Sequence, residues 1–349
     1  MVTHVKRSGQ PTKAVRIGRA GCCALAILIG GSPATGAELK KGPSYSGMCD
    51  ASAAVAIDAE TFIVANDEDN TLRVFRRNSA GREPAAPIAE ADLSGFLKPQ
   101  GKPETDIEGA ARLGDQVYWI TSHGRNKSAK LRPSRYRFFA TKVTRNGRQI
   151  TIEPTGKPYM RLLDDLLADE RLAKYKLKAA SKKAPKAKDA LNIEGLCAVP
   201  NRGLIFAFRN PIRKGKALLV PLKNAADVVA GAARAEFGKP IELDLAGLGV
   251  RSIEYDELNR RFIIVAGPYK SGVGDFRLYH WSGDPAQVPK HVKLDFAKLN
   301  PEALFIYPGG GKNRIHILSD DGTRKIDGKD CKTLAVPSLR RFRTAVLRD

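Results

Sequence analysis

Short apolar runs, broken by turns rich in Gly, Pro, Asn and Asp, follow one another from about residue 45 to the end of the chain. In one stretch, Glu194 to Val199, Gly203 to Phe208, Ala217 to Val220 and Pro240 to Leu245 read as four successive strands. The next gives the same count from Ile253 to Tyr255, Arg261 to Ala266, Phe276 to Trp281 and His291 to Phe296. One segment departs from this rhythm. Between Tyr159 and Ala180, Leu162, Leu163, Leu166, Leu167 and Leu177 recur at helical spacing, with acids ahead of lysines in the order the helix dipole favours. An amphipathic helical insertion is predicted there, followed by an exposed Lys/Ala/Pro loop to about residue 190. It reads either as a lid over a site or as cover for a sheet edge.

The strands carry a recurring acidic phrase. It stands as Asp106-Ile107-Glu108-Gly109, Asn192-Ile193-Glu194-Gly195, Ser252-Ile253-Glu254-Tyr255 and Asn300-Pro301-Glu302-Ala303, with a degenerate copy at Cys49-Asp50-Ala51-Ser52. The intervals between landmarks suit a four-stranded propeller blade better than a helical repeat, and the longest, Glu108 to Glu194, contains the helical insertion. The expectation is an all-β fold, a β-propeller of five blades with six as the alternative count. In a propeller the first strand of each blade lines the channel, so Asp50, Glu108, Glu194, Glu254 and Glu302 are expected to converge there.

Convergent carboxylates repel by several kcal/mol per close pair at an effective dielectric near 20, so they need compensation. Three forms are open: a hard divalent cation, Ca²⁺ first; pairing with Arg125, Arg209, Lys270 or Arg324; or shared protons with raised pKa values. A second group of residues, Thr121-Ser122-His123-Gly124-Arg125-Asn126-Lys127, suits an oxyanion, as does Arg209-Asn210 one repeat later. His123, Arg125 and Arg209 are therefore the candidates for orienting a substrate. The same residues also read as ordinary polar turns.

Composition narrows the setting. The first 37 residues combine a basic start, a short apolar run from Ala20 to Gly31 and small residues at Ala34, Gly36 and Ala37, the pattern of a secretory signal peptide. A periplasmic or secreted protein with no transmembrane segment after cleavage is expected, and a monomer. Cleavage leaves Cys49, Cys197 and Cys331. A Cys49–Cys331 disulfide would staple the two ends of a closed ring and leave Cys197 buried; three buried thiols are the alternative. The formal net charge of +22 favours anionic neighbours. It does not specify nucleic acid, because the basic residues are scattered and no nucleic-acid-binding motif accompanies them. No nucleophile elbow, phosphate-binding Gly-Lys-Ser/Thr loop or dinucleotide fingerprint is present.

Several motifs taken in order resemble a known family. They are Tyr45-Ser46-Gly47-Met48-Cys49-Asp50-Ala51-Ser52-Ala53, Asn66-Asp67-Glu68-Asp69-Asn70, Asp106-Ile107-Glu108-Gly109, Ser122-His123-Gly124-Arg125-Asn126, Leu191-Asn192-Ile193-Glu194-Gly195-Leu196 and Phe208-Arg209-Asn210-Pro211. Together they resemble the bacterial domain of unknown function DUF3616, from roughly residue 44 to 345. That family looks related to secreted propellers such as the esterase-like phytase domain and, more distantly, the calcium-activated nucleotidases. The resemblance implies a central calcium with one acidic or hydroxyl ligand per blade: Asp50 or Ser52, Glu108, Glu194, Glu254 and Glu302. Tyr255 and Pro301 depart from the pattern. The expected function is cation-dependent hydrolysis of a phosphoester or other small anionic ester. The alternative is a non-catalytic propeller that binds an envelope ligand or protein and whose acidic ring is structural.

Overall fold

The computed structural model of the chain describes residues 1–3, 37–77, 84–99, 104–270, 274–309, 311 and 313–349. The signal-peptide expectation falls on residues that lie, but for their two ends, outside this set. Five four-stranded antiparallel sheets make a five-bladed β-propeller.

The inner strands of blades 1 to 5 are Ala51–Ala56, Ile107–Leu113, Asn192–Val199, Gly249–Asp256 and Pro301–Ile306. Each lies beside the inner strand of the next blade, and the fifth returns to the first. Blades 1 to 4 add their remaining strands outward in sequence order. Blade 5 does not: its outer strands are the C-terminal Arg341–Arg348 and then the N-terminal Glu38–Ser46. The chain ends thus close the ring by hydrogen bonding, with Tyr45 paired to Phe342. The disulfide expected between Cys49 and Cys331 is present, with Cα atoms 5.9 Å apart, and Cys197 is buried and free.

Blade sheets are covered on both faces, which is why strands such as Thr61–Asn66 are buried at every position. Among the described residues the buried apolar side chains sort into five clusters, one at each blade-to-blade interface. At the closing interface, for example, Phe62 of blade 1 stacks on Phe305 of blade 5 with ring centres 5.0 Å apart. Burial of this kind contributes about 25 cal/mol per Å² of apolar surface, so side-chain packing adds to strand pairing in closing the ring.

The insertion differs from its expected form. It is three short pieces, Leu162–Ala168, the 3-10 turn Glu170–Tyr175 and Leu177–Ala180. The breaks fall at Asp169, whose side chain accepts from the Arg171 N–H, and at Lys176, which adopts a left-handed conformation. Leu162, Leu166, Leu172, Tyr175 and Leu177 are buried in the interface of blades 2 and 3, whereas Leu167 is exposed. No helix among the described residues is long and apolar enough to cross a membrane.

Candidate functional site

Each inner strand begins with a β-bulge, in which one extra residue is inserted opposite its partner strand. The extra residues are Ser52, Glu108, Glu194, Arg251 and Glu302. A bulge re-aims a side chain, and here it presents one residue per blade at the same end of the channel. Glu194 shows why small neighbours follow. A Cβ on Gly195 would meet Ile253 of the next blade at 2.9 Å, so only glycine lets the inner strands approach this closely.

Blade 4 corrects the expected ring. The bulge there is at Arg251, not Glu254, which stands three residues further along the strand and lines a cavity at the opposite mouth. The phrase Ile253-Glu254-Tyr255 resembles Ile-Glu-Gly, but the residue after a bulge is small in every blade: Ala53, Gly109, Gly195, Ser252 and Ala303. Tyr255 is not. That spacing was the legible signal for Val250-Arg251-Ser252. In blade 1 the bulge residue is Ser52, whose hydroxyl donates to the Ile107 carbonyl of blade 2 at 2.6 Å, and Asp50 precedes it.

A cavity of 380 Å³ opens at this mouth and brings together Asp50, Asp67, Glu108, Glu194, Glu302 and Asp320 with Lys186, Arg209, Arg251, Lys270 and Lys332. Four of the five expected acids, all but Glu254, are in it. Their compensation is divided. Glu194 lies 2.7 Å from Arg209 and 2.7 Å from Arg251, and accepts from the Asn192 amide at 2.8 Å. Arg251 also pairs with Glu302. Arg209 donates in addition to the Tyr269 carbonyl at 2.7 Å. On the arc of blades 3 and 4 the charges are therefore met internally.

On the arc of blades 5, 1 and 2 they are not. Asp50, Asp67 and Glu68 present carboxylate oxygens within 4.8 Å of one another. Asp67 Oδ1 is buried without a hydrogen-bond partner among the described residues. Burial first, and then the Asp320 carboxylate, push Asp50 up to about 8. Burial and the Asp50 charge push Asp67 well above the ordinary range. Glu108 is raised in the same way by burial and by Glu194. Lys332, 2.6 Å from Glu68, is the direct cationic contact on this side. Lys186 arrives from the insertion, whose loop is held across the mouth by the Asn210 amide donating to the carbonyls of Pro185 at 2.8 Å and Ala187 at 3.1 Å. The insertion's leucines pack between blades 2 and 3, and its loop brings Lys186 to the cavity.

Asp50 is placed by a close approach. A Cβ on Gly322 would stand 1.7 Å from Asp50 Oδ1. The Gly322 segment is in turn tied to the ring by Asp321, which accepts from Arg343 Nε at 2.8 Å and Nη2 at 2.6 Å, and by the disulfide.

Two of the three residues expected to orient a substrate are elsewhere. His123 is fully buried, its Nδ1 2.9 Å from the Thr121 carbonyl and its ring edge-on to Tyr136, and burial lowers it to about 4. It is a neutral packing residue that a solute in the channel cannot reach. Arg125 spends its guanidinium on the carbonyls of Ser181 at 2.7 Å and Ala129 at 3.1 Å, fastening the insertion. Only Arg209 lines the cavity. The strand-end acids Asp67 and Asp320 were expected at a channel mouth and Lys270 as a counter-charge; the residues that the sequence reading did not place at the site are Glu68, Arg251, Lys186 and Lys332. The strand-end cluster Asn66-Asp67-Glu68-Asp69-Asn70 was the signal for Glu68.

A comparison with curated proteins finds no match. Among solved structures, the chain is similar to a PQQ-bound aldose sugar dehydrogenase of Streptomyces coelicolor, at 11% identity over 91% of this chain and 100% of that one, with a TM-score of 0.41. It is also similar to an α-L-arabinofuranosidase of Podospora anserina, at 9% identity over 89% and 97% of the two chains, with a TM-score of 0.46. A family model described as a protein of unknown function, DUF3616, matches residues 139–314, a shorter span than the motifs suggested. With half its length matched, the chain belongs to the DUF3616 family.

Proposed function

We propose that the channel mouth binds a divalent cation, calcium first, at Asp50, Asp67 and Glu68, and hydrolyses a small anionic ester, above all a phosphoester. The observation that carries this reading is the division of one cavity into an acidic arc short of cations and a basic arc of Arg209, Arg251, Lys186 and Lys270. An anionic ester bridging a cation to a basic wall uses both arcs. The donor set is oxygen only, which suits a hard cation, and the unpartnered Asp67 Oδ1 is the kind of acceptor such an ion satisfies. When bound, the cation supplies polarisation of the ester oxygen and of water.

The chain's own residues do the rest. Arg209 is fixed at both ends, by Glu194 and by the Tyr269 carbonyl, so it can hold an oxyanion without first being ordered. Lys186 and Lys270, both exposed at the rim, supply mobile positive charge. Glu108, whose carboxyl is pushed well above the ordinary range by burial and its acidic neighbours, is the candidate to give a proton to the leaving oxygen and to take one from the attacking water. The Cys49–Cys331 bond supports the periplasmic or secreted setting expected from the N-terminal segment.

A second reading is favoured by the linked pairs of Glu194, Arg209, Arg251 and Glu302: a non-catalytic propeller whose charges lock neighbouring blades. Turnover of a phosphoester panel by the purified chain, with Ca²⁺ and after chelation, separates them. Hydrolysis that needs the cation supports the first. No turnover in either condition, with unchanged folding after chelation, leaves only the second.

A further inference from the structure

The opposite mouth of the channel holds its own cavity, of 310 Å³, built from the far ends of the inner strands: Glu254 and Tyr255 of blade 4, Ile306 and Tyr307 of blade 5, Val55 of blade 1 and Arg112 of blade 2. Glu254 has no hydrogen-bond or ion-pair partner among the described residues. Burial pushes its carboxyl up to about 8 with no charged neighbour lowering it, the behaviour of a group without a counter-ion. The arginines of the cavity are engaged elsewhere. Arg314 is held 2.5 Å from Asp256, and Arg112 donates to the carbonyls of Ile57 and Gly114.

Tyr307 belongs to the same lining but is 1% exposed, packed among the aromatic rings of the blade 5 and blade 1 interface. Glu257 adds a second carboxylate to the lining, and Leu258 lies exposed at the rim. A carboxylate left without a partner in a largely apolar pocket is met by a hydrogen-bond donor that carries positive charge. We infer that this mouth is a binding site for a small organic ammonium ion with an apolar body, its nitrogen on Glu254 and its body against Tyr255, Leu258 and Ile306. The site is independent of the cation site and of any hydrolysis there.

Isothermal titration of the full chain with benzylamine, and with benzoate as the shape-matched anion, tests this. The expected result is saturable one-to-one binding of benzylamine, at least tenfold weaker binding in Glu254→Gln, weaker binding in Leu258→Ala, and no binding of benzoate. The second variant changes only an exposed side chain of the lining, so a failure of the first to fold leaves the test intact. Absence of saturable benzylamine binding, affinity unchanged in both variants, or preference for benzoate would overturn the inference.

Discussion

The guanidinium of Arg251 lies 2.7 Å from the carboxylate of Glu194, joining the inner strands of blades 4 and 3 at the same level of the channel. Both side chains are about 5% exposed or less. Arg251 continues to Glu302 on blade 5, so one cation bridges three blades.

Removing that cation leaves Glu302 without its charge partner and Glu194 with Arg209 alone. Breaking a buried pair by deleting one partner costs about 3–5 kcal/mol. Arg251→Met is expected to lose stability in that range in urea unfolding, while the exposed pair Lys142 with Asp115 should cost under about 1 kcal/mol when cut. Equal losses from the two would show that the channel charges do not lock the blades.

Gly322→Ala tests the cation site without touching a charge. The new methyl would overlap Asp50 Oδ1 and drive that carboxylate from its place. The expected outcome is a fold with native circular dichroism and a Ca²⁺ affinity at least tenfold lower by calorimetry. Asp67→Asn should lower it as well. Wild-type affinity in both variants would remove the cation from this arc.

The pH dependence of stability follows from Asp50 and Glu254. Each is raised to about 8 when folded, from ordinary values of 3.8 and 4.5. Between those limits the folded chain holds protons that the unfolded chain has released, so stability falls as pH rises from about 4 toward 8. His123, lowered to about 4 from 6.5, works in the other direction: its unfolded form binds the proton, so its contribution rises with pH between those values. Above pH 7 His123 no longer contributes to the slope, and Glu254→Gln is predicted to be more stable than wild type there, with a shallower slope. Urea midpoints at a series of pH values measure it, and parallel curves would contradict the assignment.

The Cys49–Cys331 bond encloses nearly the whole ring. Cross-links of long loops contribute about 2–5 kcal/mol through the unfolded state. Cys331→Ser should therefore lower the unfolding midpoint. Because Thr323 and Lys332 belong to the tethered segment at the mouth, it should also weaken Ca²⁺ binding. A lower midpoint with unaltered binding would separate the staple from the site.

The repeated phrase, the strand rhythm and the paired cysteines were enough, without coordinates, to give a five-bladed propeller, its disulfide and four acids at one channel mouth. These are local or periodic properties, carried by alternation, turn residues and spacing. What local pattern could not give was register. Glu254 imitates the motif but sits three residues past the bulge, and only the pairing of Val250 with Ala266 and Ser252 with Val265 shows that Arg251 holds the place. That substitution turns a ring of like charges into one compensated arc and one uncompensated arc. Burial was equally invisible: His123 and Arg125 have the composition of an anion site, but backbone carbonyls claim them both. Whether a polar residue faces a solute or a neighbouring strand depends on what the distant chain brings beside it, and that is decided when the five blades close.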